Sequence, residues 1–167
     1  PEGLDYLPFQ RGGVAYAVQR KDTLIGDDMG LGKTIQALGF MNIVKPRRTL
    51  IIAPRSLIFN WHDEAEKWLT GFEHPIFEIE SSQQQIPDAP GVFITNYEKI
   101  AKESSPLFKS ITSQQWDVAV YDEAHYVKNP DSARSKAILN PGGVVHVARR
   151  NLFLTGTPIE SYPRSEE

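Results

Sequence analysis

The sequence predicts an α/β fold built on a parallel sheet, and three observations carry that prediction. Short apolar runs alternate along the chain with stretches of helical periodicity, the order expected of successive βα units. Two of the runs, Thr49–Ala53 and Asp117–Tyr121, are dominated by apolar and β-branched residues, as strands buried on both faces are. The glycine-rich and acidic motifs follow directly on strands, where an open parallel sheet binds ligands at its carboxyl edge. No internal repeat and no long linker divides the 167 residues, which are one domain's worth of chain.

Residues 7–20 read as a first helix. Pro8 suits its opening turn and Val14, Ala15 and Val18 share one face. Gly12 and Gly13 would each weaken that helix by up to about 1 kcal/mol, so a close backbone contact is expected there. Thr23–Ile25 is the first strand, and Gly26–Thr34 follows as a glycine-rich turn. The next helix carries Ile35, Ala37, Leu38, Phe40, Met41, Ile43 and Val44, apolar on nearly every side, and is expected to be buried.

Pro46-Arg47-Arg48 is a turn before the strand Thr49–Ala53. After Pro54 a helix places Leu57, Ile58, Trp61, Ala65, Trp68 and Leu69 at steps of three and four, with Asp63, Glu64, Glu66 and Lys67 off that stripe. Trp61 and Trp68 therefore read as core packing and not as platforms for stacked bases. Ile76–Ile79 and Val92–Thr95 are short strands flanking a polar loop, 81–90, and a short helix lies near Tyr97–Ala101. After the strand Asp117–Tyr121, a helix is expected over Ser132–Leu139. Val144–Ala148 is a short helix or irregular, because the last strand, Asn151–Leu154, follows too soon for a parallel crossover.

The turn Gly26–Thr34 has the chemistry of a phosphate-binding loop. Backbone N–H groups and the positive end of the helix cradle phosphates, Lys33 neutralises charge, and the Thr34 hydroxyl can hold Mg²⁺. The strict pattern is departed from at Asp27, which stands where its first glycine would be. A plain glycine-rich turn is the alternative for this segment taken alone. Far downstream, Asp122 at the end of a buried strand is placed to hold the metal, and Glu123 to orient or deprotonate water. An acidic pair capping a strand end would explain Asp122-Glu123 by itself, but together the two segments point to an ATPase-type site. His62, His74 and His146 have no ligand-like partners in the sequence, and no metal site is expected from them.

Asp122-Glu123-Ala124-His125 resembles the second motif of the DExH-box helicase superfamily, and its surroundings resemble the Swi/Snf-type DNA-dependent ATPases in particular. Leu7-Pro8-Phe9-Gln10 with Gly13-Val14 is similar to that family's Q motif. The stretch Asp27–Gln36 is similar to its phosphate loop, in which an aspartate commonly occupies the place of Asp27. Ile52–Leu57 with Asn60-Trp61 resembles motif Ia, and Ile94–Tyr97 is a weaker match to motif Ib. Asp122–His125 with Lys128-Asn129 matches motif II, and Leu154–Pro158 matches motif III. The resemblance runs from Leu7 to about Ile159.

It implies a P-loop NTPase of RecA-like, three-layer αβα form, with residues 1–167 a single N-terminal ATP-binding lobe. Gln10 would bond the adenine edge. Asp28, Met29, Gly30, Leu31, Gly32, Lys33 and Thr34 would hold the ATP phosphates, and Thr34 and Asp122 the Mg²⁺. Lys33, Asp122, Glu123 and His125 would be the catalytic set, with His125 linking the nucleotide to Thr155, Gly156 and Thr157. Pro54, Arg55, Ser56, Thr95, Asn96 and Lys128 would face the DNA backbone, as contacts that carry no base sequence.

The implied function is the motor lobe of an ATP-dependent translocase acting on double-stranded or branched DNA. A strand-separating DExH-box helicase or a restriction-enzyme motor is one alternative, and a non-catalytic nucleotide-dependent binding module is another. The family's second RecA-like lobe carries arginines that stabilise the transferred phosphoryl group, and nothing in this sequence resembles it. With the start at Pro1, this leads to the expectation of lobe one of a larger protein, binding ATP weakly and hydrolysing little alone. The net charge of -3 gives no general attraction to nucleic acid, so DNA binding needs a local basic face. The absence of cysteine fits an intracellular protein, in cytoplasm, nucleoid or nucleus. No apolar run approaches the roughly 18 residues of a membrane span, and no membrane partner is expected.

Overall fold

Residues 22–26 and 30–156 are described by a computed structural model, with no account of the side chains of Gly30 and Leu31. The expected first helix over 7–20 lies outside the described residues. Among these, the strands are β1 (Asp22–Gly26), β2 (Arg48–Ala53), β3 (Ile76–Glu78), β4 (Gly91–Asn96), β5 (Trp116–Tyr121) and β6 (Ala148–Thr155). They form one sheet in the order β1-β6-β5-β2-β4-β3, every pair parallel. The helices are α1 (Gly30–Val44), α2 (Ile58–Trp68), α3 (Tyr97–Ile100), α4 (Pro106–Thr112) and α5 (Ala133–Leu139), with 3-10 turns at Arg55–Leu57, Ala124–Val127 and Val144–Val147.

Side-chain alternation along the strands divides the core into two. Ile51, Ala53, Val92, Ile94, Val118, Val120, Leu152 and Leu154 meet α1 and α2 on one face of the sheet. Leu50, Ile52, Phe93, Ala119 and Tyr121 meet α3, α4 and α5 on the other. The result is the three-layer αβα sandwich the sequence predicts. The chain crosses the sheet from β1 out to β3, then works back through β4 and β5 to β6. A constant crossover hand puts the helices of the two journeys on opposite faces. β2 and β4 are buried at all six positions, which accounts for their apolar composition.

Three elements differ from the sequence reading. Helix α4 is an addition: Ser105 caps it by accepting from the Phe108 N–H at 3.2 Å and Pro106 opens its first turn. Its seven residues are too few to show a helical period. The apolar α1 is buried as expected from Gly32 to Met41 apart from the half-buried Ile35, but its last turn emerges, with Ile43 57% exposed. β6 starts at Ala148, three residues before the expected Asn151, directly after the 3-10 turn at Val144–Val147. Trp61 and Trp68 are both core residues, as their spacing predicts. No helix among the described residues is long and apolar enough to cross a membrane.

Candidate active site

The register brings the carboxyl ends of five strands into one row. Gly26 pairs with Thr155, Phe153 with Tyr121, Tyr121 with Ile52, and Ala53 with Asn96. The residues that follow β6, β5 and β2 therefore lie side by side along one edge, in the spatial order Gly156, Asp122-Glu123 and Pro54–Ser56, with Asn96-Tyr97 at the end of β4 beyond them.

Lys33, in the first turn of α1, reaches past β6 to the end of β5. Its Nζ lies 3.0 Å from Asp122 Oδ1 and 2.5 Å from Glu123 Oε1, and the residue is 3% exposed. Asp122 is gripped from several sides. Its N–H donates to the Ile52 carbonyl at 2.8 Å, extending the β5–β2 pairing by one residue. Oδ1 also accepts from the Glu123 N–H at 2.8 Å, and Oδ2 accepts from the Trp61 indole N–H at 2.8 Å. The Asp122 carbonyl accepts from the Tyr97 hydroxyl at 2.6 Å.

Glu123 sits in the left-handed region, φ 49 and ψ 59. A non-glycine residue rarely holds that conformation, and such outliers concentrate at functional sites. The turn breaks the strand direction between Asp122 and Glu123, so that adjacent carboxylates converge on one ammonium. Glu123 Oε1 also accepts from the Gly156 N–H at 3.3 Å, which ties the end of β5 to the end of β6. Partial burial pushes the Glu123 carboxyl upward, but the Lys33 hydrogen bond and charge, the Gly156 N–H and the nearby His125 outweigh it and hold it below its ordinary value. Burial first, and then the charge of Asp122, raises the Tyr97 hydroxyl well above its ordinary value, so it stays a donor.

Chemically, one ammonium between two carboxylates leaves an excess negative charge in a mostly buried cleft. A phosphate brought to the amino end of α1 competes for Lys33, and a cation competes for the carboxylates. Among the described residues no group of three His, Cys, Asp or Glu could hold a metal by itself. That suits Mg²⁺, which is usually held by one or two carboxylates plus substrate phosphates and water. Asp122, buried and with Oδ1 already facing a cation, fits that role, and Thr34, 2% exposed and next to Lys33, supplies a hydroxyl.

Other expected site residues fare differently. Gln10, Asp28, Met29 and Thr157 lie outside the described residues. Helix α1 begins at Gly30, so Gly32, Lys33 and Thr34, expected in or at the end of the glycine-rich turn, lie already within the helix. His125 is not hydrogen-bonded to Thr155. Its Nδ1 is buried without a partner among the described residues, and its ring packs edge-on against Tyr126 with centroids 5.1 Å apart. One link from the acidic motif to the β6 end runs through Glu123 and Gly156. Of the residues expected to face DNA, Arg55, Ser56 and Lys128 are exposed. Pro54, Thr95 and Asn96 are buried. Thr95 lies within the fully covered β4, and Asn96 accepts from the Lys99 N–H at 3.0 Å to cap α3.

Two residues of the site were missed. Trp61 was read as core packing beside motif Ia and Tyr97 as part of motif Ib, yet each places a polar hydrogen on Asp122. The signal was available: a tryptophan or tyrosine in a buried stripe carries a donor that needs an acceptor. His62 was also read as lacking partners. Its Nδ1 lies 2.5 Å from Glu78 Oε2 and its Nε2 lies 2.9 Å from Glu66 Oε1.

Comparison with known proteins decides the lineage, because residues 9–165 match the SNF2-related domain. The chain belongs to that family. It is 35% identical over 161 residues to the DNA annealing helicase and endonuclease ZRANB3 of Mus musculus, covering 94% of this chain and 15% of the mouse protein. It is 32% identical over 170 residues to the ISWI chromatin-remodeling complex ATPase ISW1 of Saccharomyces cerevisiae, covering 92% of this chain and 14% of the yeast protein. Among solved structures, it superimposes on the Sulfolobus solfataricus SWI2/SNF2 ATPase core in complex with dsDNA with a TM-score of 0.76 at 26% identity. That match covers 94% of this chain and 33% of the archaeal one. The SNF2-related domain therefore has here the RecA-like αβα sandwich that the sequence resemblance implied, and the chain spans a small part of these relatives.

Proposed function

We propose that the chain is the ATP-binding lobe of a motor that couples ATP hydrolysis to movement on double-stranded DNA. The observation that carries this reading is the buried contact of Lys33 with both Asp122 and Glu123. A lysine at the amino end of a helix and a strand-end acidic pair meet where phosphates and a divalent cation would bind. Lys33 would move from the carboxylates to the β- and γ-phosphates of ATP, which frees Asp122 Oδ1 for the cation. Thr34 and Asp122 would hold Mg²⁺, whose contribution when bound is to neutralise charge on the phosphate oxygens. Glu123, kept ionised by its neighbours, would accept a proton from, or orient, the attacking water. Gly156, bonded to the same carboxylate, would sense its state and pass it to the end of β6.

Arg55, Ser56 and Lys128 are exposed on segments that follow β2 and β5, and would meet the DNA phosphates. Residues 1–167 would form one lobe, with a second RecA-like lobe in a longer parent chain supplying arginines to the phosphoryl group. Such arginines can be worth about 10³–10⁵ in rate, so the lobe alone should bind ATP and turn over little of it. The relatives' names include an annealing helicase and a remodelling ATPase, and this chain covers 15% and 14% of those two proteins.

The test is ATP turnover by the longer parent protein with and without duplex DNA. DNA-stimulated hydrolysis that is lost in Lys33→Ala and in Glu123→Gln is the expected result. Unchanged turnover in either variant would show that the site is misassigned.

A further inference from the structure

Asp122 is held from both helical layers. Trp61 comes from α2 on one face of the sheet, and Tyr97 from α3 on the other. Tyr97 fixes the backbone carbonyl, but Trp61 acts on the carboxylate itself, 2.8 Å from Oδ2. The two carboxylate oxygens are thereby made unequal. Oδ2 is committed to an indole that is 0% exposed, whereas Oδ1 accepts the Glu123 N–H at 2.8 Å and also faces Lys33 at 3.0 Å. When Lys33 leaves for a phosphate, Oδ1 gives up a charged partner while Oδ2 keeps its own.

We propose that Trp61 is a positioning residue of the nucleotide site: its indole N–H locks the Asp122 carboxylate so that Oδ1 is the oxygen offered to the divalent cation. This rests on the reading of the site as one for ATP and Mg²⁺. Without the indole bond the carboxylate keeps only the Glu123 N–H on Oδ1, and its orientation is less firmly held when the cation binds. A phenylalanine would fill the same core space but donates nothing. The protein contains its own control. Trp116 is as deeply buried, yet its indole N–H goes to the Ile111 carbonyl at 3.0 Å, away from the site. Trp61 lies on α2, which directly follows the 3-10 turn carrying Arg55 and Ser56, so two exposed candidate DNA contacts precede the helix that is bonded to the Asp122 carboxylate.

The experiment is Mg²⁺ titration of ATP binding to the 167-residue chain, followed with a fluorescent ATP analogue, in wild type, Trp61→Phe and Trp116→Phe. Removing one hydrogen bond to a charged group should raise the Mg²⁺ concentration for half-maximal binding about tenfold in Trp61→Phe. ATP binding in excess chelator should be unchanged, and Trp116→Phe should match wild type in both. Proton–nitrogen NMR of the wild-type indoles is the second arm. The Trp61 resonance should shift on adding Mg²⁺ with ATP and not with ATP in chelator, whether or not Trp61→Phe folds. A Trp61→Phe chain with wild-type Mg²⁺ dependence, or an unmoved Trp61 resonance in a wild-type chain that binds Mg²⁺ and ATP, would overturn the positioning role alone. A wild-type chain that binds no ATP would overturn the site reading beneath it.

Discussion

Lys33 and Asp122 form an ion pair, Nζ to Oδ1 at 3.0 Å, with side chains only 4% and 2% exposed. A pair so placed is costly to desolvate and does not by itself argue for stability. Its removal by halves is another matter, because the remaining charge stays buried and unpaired. The Lys33–Asp122 contact joins α1 to the end of β5 across the intervening β6.

Lys33→Ala should therefore destabilise the chain by about 3 kcal/mol, since Asp122 and Glu123 are left converging without their cation. Urea unfolding at neutral pH measures this, and ATP binding should be lost in the same variant. A wild-type unfolding midpoint would mean that the pair is not formed in solution.

Glu123 gives a pH dependence of known sign. Its folded-state value is lowered, so the stability it contributes is present above the unfolded carboxylate value of about 4.3 and is lost as pH falls through the folded value. Melting curves on the acid side should be less steep in pH for Glu123→Gln than for wild type. Equal slopes would detach Glu123 from Lys33.

His62 acts in the opposite sense. The hydrogen bond to Glu78 raises it, with burial opposing and Glu66 adding to the rise, and it straps α2 to β3. Its contribution is fully present below the unfolded value of about 6.5 and is lost as pH rises through the higher folded value. Between pH 6 and pH 8 the wild-type melting temperature should lose a component that His62→Gln does not have, and identical profiles for the two proteins would refute the strap.

Tyr121 and Asn151 form a buried bond between β5 and β6, hydroxyl to Oδ1 at 2.7 Å, and Asn151 Nδ2 continues to Asp22 Oδ1 at 3.1 Å in β1. Tyr121→Phe leaves the Asn151 oxygen without that donor and should cost about 1–2 kcal/mol by urea unfolding. Neutral replacement would mean that the amide finds another partner.

Much of this was readable locally. The α/β class, the strands and the motifs at their ends follow from periodicity and from which residue types a phosphate loop or metal carboxylate requires. Those are properties of a few consecutive residues. Helix α4 was not readable because its seven residues and local cap give no period, and Ile43 was misjudged because composition does not say how far along a helix its cover extends.

By itself, then, the sequence determined the strands, the phosphate-loop lysine, the acidic pair and the family they resemble. Only the tertiary structure decided which strand ends are neighbours, because the sheet order depends on crossovers that connect distant segments. That order brings Lys33 to Asp122, puts the Trp61 indole on its carboxylate and joins Glu123 to Gly156. It also buries Thr95 and Asn96 among the residues first expected to face DNA. Residue type can be read from a sequence, but a hydrogen-bond partner from another layer exists only once the layers have packed.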